Sequence, residues 1–193
     1  MRPRWMPFRL AAVLVAVSPI CTVAQTSWSD TVPDSVMPAE IGPLRLTETF
    51  HYPEAHLGTL YRYRNDTELR PDVYIYPVSR QPESGGAFDP AREEGMNFGR
   101  VLTAQKMRGQ FDAFEILKSE AQHLGEATDA VSGWHVHAVL ERKGEKRDTH
   151  LFVYTLGDQT VKVRATYPIG SVEYAALDGF VNELLDELIA IRR

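Results

Sequence analysis

The sequence predicts an α+β domain: a largely antiparallel sheet of six to seven strands flanked by two helices. Three observations carry that expectation. Strand-like stretches come in runs, and only two helical patterns interrupt them, one opening at Pro90 and one closing the chain. Helices that alternated with every strand would instead point to a parallel α/β sheet. Finally, Gly157-Asp158 joins two alternating stretches through a turn of two residues, which forces an antiparallel hairpin.

The chain begins MRPRWMPFRLAAVLVAVSPICTVAQT. Arg2, Arg4 and Arg9 form a positive start, residues 10–20 are apolar, and Thr22 and Ala24 have the spacing of a signal-peptidase site before Gln25. The pattern predicts a cleaved secretory signal peptide over 1–24 and a periplasmic or secreted product. The apolar run falls short of the roughly 20 residues that span a bilayer, so no stable membrane insertion is expected after cleavage. Cys21 follows bulky Ile20, which argues against a lipid-anchored cysteine.

Once the leader is removed, no cysteine remains, which excludes a disulfide framework, a thiolate metal site and a cysteine nucleophile. Three of the 21 basic residues leave with it, so 18 face 26 acidic ones, a net charge of −8. That balance disfavours binding to a phosphate backbone, and no nucleic-acid partner is expected.

Residues 25–40 are polar and interrupted by Pro33 and Pro38, an extended lead-in to a single domain over 41–193. Residues 42–52, 58–64 and 72–78 then read as three strands, with Pro77 ending the third or placing it at an edge. A loop rich in Gly, Pro and Ser covers 79–90. Asp89 caps the first helix and Pro90 takes its first position, where no amide hydrogen is missed. Phe98, Val101 and Leu102 form its apolar stripe, and Gly95 and Gly99 let it lie close to the sheet. Gly109 ends it, and 113–124 is assigned as a strand. In the last helix, capped by Ser171, Leu177, Phe180, Val181, Leu184, Leu185, Leu188 and Ile189 recur at intervals of three and four. Arg192 and Arg193 suit its negative C-terminal end.

Between the helices runs GWHVHAVLERKGEKRDTHLFVYTLGDQTVKVRATYP, from Gly133 to Pro168. This meander and the closing helix SVEYAALDGFVNELLDEL resemble the Mog1/PsbP-like α/β/α sandwich. The resemblance implies an accessory or partner-binding protein that is not an enzyme.

The two-residue turn pairs Leu156 with Gln159, Tyr154 with Val161 and Phe152 with Val163. For the preceding hairpin, a loop of three residues pairs Leu140 with His150 and Val136 with Tyr154, and so collects Trp134, Val136, Ala138, Phe152 and Tyr154 on one face. The opposite face then carries His135, His137, Thr155, Lys162 and Arg164, the candidate ligand-binding residues. Lys162 and Arg164 supply charge for an anion, and Arg62, Arg64, Tyr74 and Tyr76 join them if their strands are neighbours. A two-residue loop would invert the histidine strand.

His135-x-His137 has metal-ligand spacing, but a site needs about three protein ligands. The patch contains no acid, and His150 projects to the other face in this register, so no metal or other cofactor is expected. No nucleophile elbow, phosphate loop or dinucleotide turn is present either, and no catalytic residue is assigned. The expected function is that of an exported, non-catalytic binding or accessory protein of the cell envelope. Its partner is an envelope protein or a small anionic ligand; a metal-dependent or hydrolytic enzyme is the remaining alternative.

Overall fold

The computed structural model describes residues 37–78, 89–124, 131–172 and 174–191. The expected signal peptide, most of the expected lead-in, the greater part of the 79–90 loop and the two terminal arginines lie outside the described residues.

Eight strands, not six or seven, form one sheet in the order β1-β2-β3-β4-β8-β7-β6-β5. They are β1 (Glu40–Ile41), β2 (Leu44–His51), β3 (Thr59–Arg64), β4 (Asp72–Pro77), β5 (Ala113–Leu124), β6 (Val131–Arg142), β7 (Glu145–Leu156) and β8 (Gln159–Pro168). Every pairing is antiparallel. The extra strand is β1, whose two residues fall at the boundary between the expected lead-in and the domain and are too few to show a period. Pro77 closes β4, which lies inside the sheet between β3 and β8.

Helix α1 (Pro90–Met107) begins as the sequence requires. The Asp89 carboxylate accepts from the amides of Ala91 and Arg92, and Pro90 occupies the first turn. It buries Ala91, Gly95, Phe98 and Leu102 on one face of the sheet, against Val136, Ala138, Leu140, Leu151 and Val153. Val101, expected in that stripe, is 39% exposed. A Cβ at Gly95 would stand 2.2 Å from Cδ1 of Trp134, so this position must lack a side chain for the helix to seat.

Helix α2 (Tyr174–Ala190) covers the other face. Its Leu177, Phe180, Val181, Leu184, Leu185 and Leu188 pack with Tyr63, Val73, Phe152, Tyr154, Val163 and Tyr167. Burial of each large apolar side chain contributes about 1.5–3 kcal/mol, which makes this the dominant core. Ser171 does not cap it: the hydroxyl donates to the Pro168 carbonyl, 2.7 Å away, and the helix starts at Tyr174.

The hairpin of β7 and β8 has the expected register, Leu156 opposite Gln159 and Phe152 opposite Val163. The hairpin of β6 and β7 does not. Arg142 pairs with Glu145, so only Lys143 and Gly144 lie in the turn. Both have positive φ, 52° and 82°, the conformation of the tight hairpin turn whose twist matches the strands. The Asp112 carboxylate accepts from the Lys143 amide at 2.6 Å and holds the turn. His135 therefore opposes Phe152, and His137 opposes His150.

At the outer margin, β5 pairs only with β6 among the described strands. Its ladder shifts register between Ile116 and Lys118, where Leu117 is the extra residue.

Candidate functional site

The register of β6 divides the expected site in two. His135 and His137 share a face with Phe152, Ala165 and helix α2. Lys162, Arg164 and Thr155 share the opposite face with Val153, Leu151 and helix α1. The single basic patch containing all five residues does not exist, because a one-residue change of loop length turned β6 over.

On the α1 face the cations meet the helix. Lys162 pairs with Glu94 of α1 at 2.5 Å, and its ammonium lies 5.6 Å and 5.5 Å from the rings of Tyr74 and Tyr76. These tyrosines do join the patch, since β4 is the neighbour of β8. Arg62 and Arg64 are on the same face but engaged, Arg62 with Glu48 and Arg64 with Asp72, each at 2.7 Å. The Thr155 hydroxyl is buried without a hydrogen-bond partner among the described residues.

Arg164 differs from its neighbours. Its guanidinium lies 5.4 Å from the ring centre of Phe98 and forms no ion pair among the described residues. Burial pushes its pKa down, and only the fields of Tyr74 and Asp72 oppose that shift. It opens into a cavity of about 520 Å³ at the C-terminal end of α1, lined also by Gln105, Gln110, Phe111, Leu140, Arg142 and Thr166. A second hollow of about 310 Å³ shares Gln110 and Arg142 and adds Glu145 and Arg147. Sequence reasoning identified Arg164 but missed Arg142, which ends β6 and whose place depends on the turn at Lys143.

On the α2 face the rings stack. His135 lies 4.3 Å from Phe152 between ring centres with planes 6° apart, and His137 lies 4.1 Å from His150 with planes 11° apart. Tyr167 and Tyr174 flank His150 at 5.7 and 5.2 Å. His135 Nε2 meets His150 Nδ1 at 3.1 Å, and His137 Nε2 meets Asp148 Oδ1 at 2.7 Å. His135 and His150 are almost fully buried, and His137 and Asp148 are partly exposed. Burial, with the positive field of Lys118 and His137, lowers His135 to about 4. Burial, with the fields of His137 and His135, lowers His150 to about 3. Both are neutral at pH 7.

An acid is thus present beside the histidines after all, and His150 is on their side. Asp148, His150 and His137 bring one donor atom each within 4.8 Å of one another. The sequence carries the signal: Asp148-x-His150 places both side chains on one face of β7, as His135-x-His137 does on β6.

No family model and no curated protein matches the chain. Among solved structures it is similar to the solution structure of cyanobacterial PsbP from Synechocystis sp. PCC 6803, at 11% identity, covering 72% of this chain and 79% of that one, with a TM-score of 0.47. It is also similar to PA94 from Pseudomonas aeruginosa, described as a protein of unknown function and a putative regulator, at 8% identity, covering 71% and 91%, with a TM-score of 0.33. The likeness to the PsbP structure is weak and lies in the fold.

Proposed function

We propose that the chain is an exported, non-catalytic binding domain of the cell envelope whose ligand, a small carboxylate or phosphate, is held at Arg164. The observation that supports this most is the state of that guanidinium: partly buried, packed on Phe98, without an ion-pair partner among the described residues, and facing a cavity. An unpaired charge withdrawn from water costs several kcal/mol unless something compensates it. An anion in the cavity compensates it with two parallel charge-assisted hydrogen bonds. Arg142, Gln105 and Gln110 add a second charge and neutral donors along the wall. Lys162 is a lesser contributor, because Glu94 already neutralises it.

The binding site in this reading is half of the one expected from sequence, with Arg142 in place of the histidines. Export rests on the leader pattern and is checked by the N-terminus of the protein recovered from the envelope fraction, expected at Gln25. Ligand binding is checked by thermal shift against a panel of carboxylates and phosphates. At least one compound raises the unfolding temperature of the wild type, Arg164→Met abolishes the rise, and Lys162→Met preserves it. Shifts of full size in Arg164→Met, or no shift with any compound, would overturn the assignment.

A further inference from the structure

The α2 face carries a second site, separate from the Arg164 cavity. We propose that His137, Asp148 and His150 bind one divalent transition-metal ion, zinc being the probe of choice, with His135 orienting His150 from behind. The three donors come from adjacent strands of a rigid sheet. Asp148 and His150 are two residues apart on β7, and His137 stands directly opposite His150 on β6. Their donor atoms lie within 4.8 Å of one another. A tetrahedral ion with bonds of about 2.0–2.2 Å brings its ligands somewhat closer than that. The His137 and His150 rings, now stacked nearly parallel at 4.1 Å, must turn about their Cβ–Cγ bonds so that both in-plane lone pairs converge on the ion. Coordination replaces the His137–Asp148 hydrogen bond.

His150 is almost fully buried in the aromatic layer, yet among the described residues only one of its ring nitrogens is engaged. Its Nδ1 is committed to His135 Nε2, which leaves Nε2 for a metal. A metal-bound imidazole characteristically gives its other N–H to such a partner, which fixes its tautomer. His135 bears the consequence: its Nδ1 is buried with no hydrogen-bond partner among the described residues. A lost hydrogen bond of that kind is destabilising, and a role in holding a ligand accounts for its retention. Two imidazoles and a carboxylate suit zinc and its first-row neighbours rather than calcium or magnesium. The partial exposure of His137 and Asp148 gives the ion a path and leaves a coordination position open to water. Lys118, whose field reaches His135 and His150, pairs with Glu120 at 2.7 Å.

The test is calorimetric titration of zinc into the chain from residue 25 onward, prepared without a histidine tag and stripped with chelator. One ion per chain is expected. Asp148→Asn and His137→Gln each weaken binding about tenfold or more, while Arg164→Met and His123→Gln, the latter at an exposed histidine on β5, leave it unchanged. Asp148 and His137 reach solvent, so these variants retain the fold, verified by circular dichroism, even if the buried His150→Gln does not. An absence of stoichiometric binding, or binding unchanged in both Asp148→Asn and His137→Gln, would refute the site. The Arg164→Met control separates this outcome from failure of the anion assignment.

Discussion

Against α2 the sheet presents Tyr63, Val73, Phe152, Tyr154, Val163 and Tyr167, all buried, and its three inward histidines are absorbed into the same layer by ring stacking. Against α1 it presents a smaller cluster, Val136, Ala138, Leu140, Leu151 and Val153, and beside it, on β8, two cations. Both faces thus hold polar groups near a helix, but they accommodate them differently. Imidazole rings lie flat on aromatic neighbours, whereas the Lys162 and Arg164 cations require a counter-charge from the helix, and Glu94 serves only one of them. Stability resides mainly on the first face, and unfilled electrostatic demand on the second.

The sharpest way to break this contrast is to attack α2. Leu184 is fully buried in its core, and Leu184→Asp places a carboxylate there without a partner. Loss of several kcal/mol is expected, most of the stability of a domain this size, so circular dichroism should find the variant unfolded at 25 °C. A cooperative unfolding transition near the wild-type temperature would mean that α2 is not the main support.

A smaller effect probes the seating of α1. Gly95→Ala gains about 1 kcal/mol of helix propensity, but its methyl would lie 2.2 Å from Trp134. Overpacking of that severity costs about 1–3 kcal/mol, so the variant loses stability in denaturant melts. Gly99→Ala meets Ile116 only at 3.4 Å and should gain up to about 1 kcal/mol instead. Equal changes at the two glycines would contradict the close approach at Trp134.

The smallest effect separates the two cations. Lys162→Met removes the partner of Glu94 and should destabilise by about 1 kcal/mol, moderated by partial exposure of the pair. Arg164→Met removes a charge that has no ion-pair partner among the described residues, so in the absence of ligand its stability should equal or slightly exceed that of the wild type. Losses of the same size from both would show that Arg164 is satisfied within the fold.

The sequence made the two helices, the Asp89 cap and the β7–β8 register legible, because each rests on a local signal: a carboxylate before a proline, a period of 3.6, a Gly-Asp turn. The β6–β7 register failed for a reason rooted in β7. Its stretch THLFVY is buried on both faces, Leu151 and Val153 beneath α1, Phe152 and Tyr154 beneath α2. Alternation can set a register only where one side is wet, and here it favoured the wrong loop. The stronger signal was Gly144 at the second position of a tight turn, with Lys143 tolerating positive φ before it. Read that way, His135, His137, His150 and Asp148 fall together. Arg142 in the cavity wall follows from the same turn and was out of reach for the same reason.

The break in β5 bears on how the molecule behaves in a crowd. Twelve residues of outermost strand are a template on which another chain could continue the sheet. The residue inserted at Leu117 kinks that template, and the ammonium of Lys118 stands at the kink, so no long straight margin is offered for docking. Deleting Leu117 would straighten it, and fibril growth would be the cost.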